Sequence, residues 1–135
     1  LPGFPDAQIA AVIGLLKDIF KRWPQLNAAR VVAHSDIAPE RKNDPGEKFP
    51  WRRLADAGVS IWPYSPRIEG PESDVVGVAQ QHLADVGYDV KQSGVMDVAT
   101  KAALIAFQRR FRPNNLDGVL DEETRSLLAA LARQV

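Results

Sequence analysis

The residues best suited to do chemistry lie in one short loop, "AHSDIAPERKNDPG", at positions 33–46. His34 opens the loop, Asp44 follows ten residues later, and Lys42 stands two residues before that aspartate. Imidazole and carboxylate groups are both zinc ligands, and an ammonium group beside them could stabilise an oxyanion as a carbonyl is attacked. A hydrolytic zinc site needs three protein ligands, but the chain has two histidines and no cysteine. The loop therefore predicts two ligands and a fixed positive charge, without a third ligand.

Each of these residues also has an ordinary structural interpretation. A histidine at a strand end can simply be hydrogen-bonded to its loop, aspartate before proline is common in turns, and a loop lysine is usually solvated. The spacing of Lys42 and Asp44 favours a shared function, because alternate residues of an extended loop point the same way. His82 lies in the pattern of a later helix and is interpreted as an edge-of-core residue rather than the missing ligand. The residues alone leave both interpretations of the loop open.

The segments around the loop are expected to position His34. Asp6 is predicted to cap a helix over residues 6–22, which carries an apolar stripe at helical spacing. The β-branched run "ARVVAH", residues 29–34, predicts a buried strand that delivers His34 at its C-terminal end. After the loop, "FPWRRLADAG" predicts a short helix over residues 50–57, with Gly58 as its C-cap.

The second half of the chain has a different pattern. Residues 64–72, "YSPRIEGPE", hold two prolines, a glycine and charges, and predict a linker. Beyond them, "GVMDVATKAAL" at 94–104 and "GVLDEETRSLL" at 118–128 repeat with a period of 24 residues. Each repeat predicts a turn glycine followed by a helix, with Asp97 or Asp121 as its N-cap.

These patterns together predict an α/β fold followed by a small all-helical module. Residues 1–63 are expected to form part of a domain with a mixed sheet, and residues 64–72 to link it to a three-helix module at residues 73–135. The apolar positions Leu104, Phe107, Phe111, Leu127, Leu128 and Leu131 are expected to form the core of that module.

Composition excludes several classes of partner. Hydrophobic residues make up 45% of the chain and charged residues 25%, which is typical of a soluble globular protein. The formal net charge is zero, so no general attraction to nucleic acid is expected. No apolar run approaches the roughly 18 residues of a membrane span. The lack of cysteine excludes disulfides and thiolate ligands.

The longer segment "VVAHSDIAPERKNDPGEKFPWRRL" resembles the C-terminal metal-binding segment of zinc-dependent N-acetylmuramoyl-L-alanine amidases of the AmpD/AmiD type. The family pattern is a strand ending in a ligand histidine, then Ser-Asp-Ile-Ala-Pro, Arg-Lys-x-Asp-Pro-Gly and Phe-x-Trp. The resemblance implies zinc as cofactor, His34 and Asp44 as its ligands, and Lys42 as an aid to chemistry at the scissile carbonyl. The stretches "VGYDV", "AFQRRF" and "LDGVLDEET" resemble a peptidoglycan-binding module with three helices.

The resemblance also implies a function. Such enzymes hydrolyse the amide bond between N-acetylmuramic acid and the L-alanine of peptidoglycan, so muropeptides are the expected partners. The two-part order resembles the AmiD-like enzymes, often periplasmic lipoproteins, which implies a periplasmic or outer-membrane location.

Family members carry a further ligand histidine and a catalytic glutamate on sequence that precedes this chain's first helix. Neither has a counterpart here, because no histidine precedes His34 and no glutamate precedes Glu40. The chain therefore resembles a C-terminal fragment whose partner is the missing N-terminal part of the same polypeptide, and the fragment alone is expected to be inactive. The alternatives are a non-catalytic cell-wall binding protein with a remnant amidase half, and a plain turn in an unrelated α/β protein.

Overall fold

Regular structure is entirely helical in the part of the chain that the computed structural model describes, residues 3–66 and 73–135. Within these ranges six α-helices follow one another: α1 Asp6–Arg22, α2 His34–Ile37, α3 Trp51–Asp56, α4 Val75–Val86, α5 Val98–Phe111 and α6 Glu122–Ala132. A 3-10 turn, Ala28–Arg30, lies between α1 and α2. No helix of the described ranges is long and apolar enough to cross a membrane.

The predicted strand over residues 29–34, and with it the α/β class, is wrong. Asn27 accepts a hydrogen bond from the backbone of Ala29 and starts the 3-10 turn. Val31 and Ala33 have extended backbone angles, but the Val31 carbonyl accepts from a side chain, Arg110, and the Ala33 N–H donates to a side chain, Asp36. Backbone groups that a neighbouring strand would bind are thus satisfied by side chains, and no strand forms among the described residues.

The two helices predicted around the loop are present. α1 has the predicted bounds, although its N-cap is Pro5 and not Asp6. The Asp6 carboxylate instead accepts a hydrogen bond of 3.0 Å from Arg53, which ties α1 to α3. α3 lies within the predicted residues 50–57, and Gly58 follows it with a φ of +82°, the left-handed geometry expected of a residue just past a helix end.

The first hydrophobic core collects residues from α1, the loop and α3. Its buried members are Ile9, Ala33, Trp51, Leu54 and Val59. The rest of the apolar stripe of α1 is only half-buried against this core. The residue next to His34, Ala33, is therefore anchored by packing.

The second core is that of the helical module, as predicted. Its buried residues are Ala79, Leu83, Tyr88, Ala103, Leu104, Ala106, Phe107, Phe111, Leu128 and Leu131, while Leu127 is half-buried against them. The predicted caps are confirmed. Asp97 accepts from the backbone N–H of Thr100 at 2.8 Å, and Asp121 from that of Thr124 at 2.9 Å.

Two buried glutamines hold the turns in front of the repeated helices. The Gln80 amide accepts from the Gly94 N–H and donates to the Val95 carbonyl and the Thr100 hydroxyl. The Gln108 amide makes the same three contacts one repeat later, with Gly118, Val119 and Thr124. We refer to these as the Gln80 and Gln108 clusters. The sequence repeat is therefore a repeat of buried hydrogen bonds as well as of helices.

The two predicted domains contact each other where the first one ends. Trp62 packs against both hydrophobic cores. Within the predicted linker of residues 64–72, residues 67–72 lie outside the described ranges. The division into residues 1–63 and 73–135 stays a prediction.

Candidate metal centre

His34 and Asp44 come together at the molecular surface. The His34 Nδ1 atom lies 2.7 Å from the Asp44 Oδ2 atom, and the two side chains are 66% and 60% exposed. Because an ionised carboxylate can only accept, the ring donates its Nδ1 proton to Asp44. The loop therefore brings an imidazole and a carboxylate into contact without burying either.

The backbone around His34 explains this placement. His34 is the first residue of α2, and Ala33 before it is extended, with φ −100° and ψ 166°. The Asp36 Oδ2 atom accepts from the Ala33 N–H at 3.0 Å and so fixes the start of α2. The Ser35 N–H donates to the Asp44 carbonyl at 3.2 Å, which holds the far end of the loop beside α2.

Asp44 is held in its ionised form. The hydrogen bond from His34 lowers the pKa of the Asp44 carboxyl below its usual value, and the positive charge of Lys42 contributes in the same direction. Lys42 is exposed and makes no ion pair with Asp44. The structure thus places the lysine charge near the carboxylate, while the roles of all three residues stay predictions.

The donor set fits part of a zinc site. Two ligands about 2.1 Å from one tetrahedral ion lie about 3.4 Å apart, so His34 Nδ1 and Asp44 Oδ2 would have to separate by roughly 0.7 Å, and Nδ1 would have to give up the proton that it now shares with Asp44. Both side chains are exposed enough to rotate by that amount. The described residues contain no group of three or more histidine, cysteine, aspartate or glutamate side chains able to hold a metal. His34 and Asp44 therefore supply two ligands of a site that needs more.

A concave surface of about 360 Å³ opens beside the pair. His34 and Asp44 are its polar lining residues, and the others are apolar, with Val12, Leu16, Val31, Phe49 and Trp51 among them. An apolar recess next to a polar pair is typical of a binding surface.

A buried polar cluster behind the loop was not predicted from the sequence. Asp36 and Arg110 form an ion pair of 2.7 Å with side chains that are 7% and 5% exposed. The Tyr88 hydroxyl donates to the other Asp36 oxygen, also at 2.7 Å. Burial, followed by the negative charge of Asp36, raises the pKa of Tyr88 well above its ordinary value, so the phenol remains a donor. We refer to Asp36, Tyr88 and Arg110 as the junction cluster.

Two family models match separate segments of the chain. Residues 2–47 match the family described as "N-acetylmuramoyl-L-alanine amidase", and residues 72–128 match "Putative peptidoglycan binding domain". The matched amidase segment contains the loop that carries His34, Lys42 and Asp44.

Individual relatives match almost the whole chain. N-acetylmuramoyl-L-alanine amidase AmiD of Escherichia coli (strain K12) is 40% identical over an alignment 135 positions long, which covers 95% of this chain and 48% of the relative. A solved complex of AmiD from E. coli with the substrate anhydro-N-acetylmuramic acid-L-Ala-D-gamma-Glu-L-Lys has a TM-score of 0.81 at 39% identity, over 98% of this chain and 53% of that one. The crystal structure of AmpDH3 from Pseudomonas aeruginosa has a TM-score of 0.80 at 34% identity, over 99% and 55%.

The chain spans about half the length of these relatives. The interpretation as a plain turn in an unrelated protein is wrong, because the amidase match includes the loop. The resemblance inferred from the sequence is confirmed, and the chain is similar over most of its length to N-acetylmuramoyl-L-alanine amidases of the AmiD and AmpD type, with a segment that matches the amidase family followed by one that matches a peptidoglycan-binding family.

Proposed function

We propose that the complete protein is a zinc-dependent amidase that hydrolyses the bond between N-acetylmuramic acid and the L-alanine of peptidoglycan. The observation that carries the proposal is the 2.7 Å contact of His34 with Asp44 inside the segment that matches the amidase family. The muropeptide substrate is supported by the AmiD complex, which contains anhydro-N-acetylmuramic acid linked to L-alanine.

His34 and Asp44 would hold the zinc ion, and Lys42 would act on the substrate. When bound, zinc polarises the scissile carbonyl and lowers the pKa of a coordinated water. The lowered pKa of Asp44 keeps this ligand charged at neutral pH, as metal binding requires. The Lys42 ammonium is free of an ion pair with Asp44, so its charge remains available to stabilise the negative charge that develops on the carbonyl oxygen.

The remaining zinc ligand, a histidine, and a catalytic glutamate would come from the N-terminal part of the same polypeptide. Two ligands are too few for a catalytic zinc site, and the described residues hold no larger group of ligands. The coverage of about half of AmiD is consistent with further amidase sequence outside these 135 residues.

The helical module would bind peptidoglycan and so raise the local concentration of substrate at the amidase domain. The match of residues 72–128 to a peptidoglycan-binding family supports this role. We place the protein in the periplasm or at the outer membrane, since its substrate class is the cell wall. Cell fractionation with an antibody to this chain tests the location.

The test of the function is zinc content and amidase rate, measured together on variants of the complete protein. His34→Ala and Asp44→Ala are expected to lose zinc and turnover, whereas Lys42→Ala keeps zinc and loses turnover. His82→Ala on α4 and Lys48→Ala farther along the same loop are the matched controls, and both should retain zinc and activity. Zinc loss in Lys42→Ala with retention in His34→Ala would refute the assignment. Peptidoglycan binding without hydrolysis by the wild type would support the non-catalytic alternative.

A further inference from the structure

The junction cluster connects the helical module to the backbone on both sides of His34. The Arg110 guanidinium donates to the Val31 carbonyl at 3.0 Å, three residues before His34, and to Asp36 at 2.7 Å, two residues after it. Tyr88 holds the second oxygen of Asp36. Two residues of the module therefore contact the segment 31–36 at its two ends.

The junction cluster is rigid for identifiable reasons. Arg110 also donates to the Ser60 hydroxyl at 3.0 Å, and its guanidinium carbon lies 3.9 Å from the centre of the Trp51 ring. The fork of a guanidinium is planar, so three acceptors and one aromatic face leave it a single orientation. A buried ion pair of this kind fixes geometry more reliably than it adds stability.

His34 depends on this support because its own side chain has little. The imidazole is two-thirds exposed, and its only hydrogen bond among the described residues is to Asp44. Its position is therefore set by the backbone, and Asp36 sets the backbone by accepting the Ala33 N–H at the start of α2. The same Asp36 oxygen accepts from Arg110, so one atom joins the module to the end of α2 that carries His34.

We propose that Tyr88 and Arg110 are positioning residues for the metal centre, through which the peptidoglycan-binding module orients His34 by way of Asp36. The inference rests on the proposed function for its zinc-binding consequence. It gives the module a second task besides binding the cell wall. Loss of the module's contacts is expected to weaken zinc binding without removing any ligand.

The test compares two tyrosines that both donate to an aspartate. Tyr88→Phe removes the buried donor to Asp36, and Tyr64→Phe removes an exposed donor to Asp56, the last residue of α3. Arg110→Gln is a stronger variant, and Arg112→Gln is its control because Arg112 binds Asp121 and Asp117 within the module. If Arg110→Gln fails to fold, the tyrosine pair still decides the question.

The first readout is the ¹⁵N and ¹H spectrum of the His34 ring in the 135-residue chain without metal. With only two histidines present, His82→Gln assigns the signals. Tyr88→Phe is expected to shift the His34 ring signals and the Ala33 amide, whereas Tyr64→Phe leaves them in place. Identical His34 and Ala33 signals in the two variants would overturn the inference.

The second readout is the zinc dissociation constant of the complete protein, obtained by competition with a chromophoric chelator. Groups that bond directly to a metal ligand contribute about 10- to 100-fold to affinity, and Asp36 acts one step farther out, so a rise of about 3- to 10-fold is expected for Tyr88→Phe. An unchanged constant overturns the inference while leaving the proposed function intact. A wild type that binds no zinc contradicts the proposed function, and the His34 spectrum then still decides whether the module positions that residue.

Discussion

The Gln108 cluster offers a prediction whose size follows from the structure. The Gln108 amide accepts from the Gly118 N–H at 2.8 Å and donates to the Val119 carbonyl and the Thr124 hydroxyl, both at 3.1 Å. Gln108→Leu keeps the approximate volume of the side chain and removes these three bonds together with a longer one, of 3.3 Å, to the Asp117 carboxylate. Gly118 and Thr124 are buried, so water cannot replace the lost partners.

The expected cost is about 1 to 4 kcal/mol in the free energy of unfolding. A buried donor or acceptor left without a partner costs about 1 to 3 kcal/mol, and two such groups are stranded here. The new apolar side chain offsets part of that loss by its own burial, by about 1 to 2 kcal/mol.

Gln80→Leu is the matched comparison, because the Gln80 cluster has the same hydrogen bonds in the preceding repeat. Its glycine, Gly94, is exposed, so water can bind the freed N–H and only the Thr100 hydroxyl is stranded. With the same apolar offset, the expected cost is smaller, about 0 to 1 kcal/mol.

Urea unfolding of the 135-residue chain, followed by circular dichroism, measures both variants. The exposed Gln81→Leu on α4 controls for the change in side-chain chemistry and should stay within about 0.5 kcal/mol of the wild type. A cost for Gln80→Leu that equals or exceeds that for Gln108→Leu would show that burial of the turn does not determine the penalty.

Three further predictions concern the same module. Asp97→Ala and Asp121→Ala should each lower the free energy of unfolding by about 0.5 to 2 kcal/mol, because each removes a helix N-cap. The loss should be larger for Asp121, since its carboxylate also binds a guanidinium. Unchanged denaturation midpoints would show that these caps do not stabilise the module. Gly118→Ala should be more destabilising in thermal unfolding than Gly94→Ala. Both glycines have a positive φ, but only at Gly118 would an added Cβ lie 3.0 Å from a side-chain carbon of α5. Equal shifts in melting temperature would tell against this. The hydrogen bond from the Val119 N–H lowers the pKa of Asp117, and the pKa of Asp121 is also lowered, although burial opposes this, so the unfolded chain binds more protons and stability should fall as pH drops below 3.8. In unfolding curves from pH 7 to pH 2.5, Asp117→Asn should make this loss of stability smaller. An unchanged loss would show that Asp117 does not link stability to pH.

Local patterns in the sequence predicted the helical elements well. Asp97 and Asp121 each precede a helix and follow a turn glycine, and caps of this kind depend on residues only three positions apart. The prediction of a strand over residues 29–34 was wrong because a strand depends on residues far away in the sequence. β-branched residues favour an extended backbone, which Val31 has, but a strand also requires a partner that local sequence does not reveal.

The glutamine clusters could not be found from the 24-residue repeat. Gln80 precedes its glycine by 14 residues and Gln108 precedes its own by 10, so the two do not align when the repeats are superposed. The equivalence arises only in three dimensions, because the two glutamines reach their turns from different helices. A buried amide also looks like any surface glutamine in a single sequence.

Around the metal centre, too, contacts between residues close in sequence could be predicted, and contacts between distant residues could not. His34 and Asp44 are ten residues apart in one loop, and their pairing was within reach of the sequence. The ion pair of Asp36 with Arg110 spans 74 residues. One sign of it was nevertheless present, because Ala103, Ala106 and Arg110 occupy one face of α5 at helical spacing, and this face is buried. The spacing was visible in the sequence, whereas the burial of this face and the partner of Arg110, Asp36, are seen only in the fold.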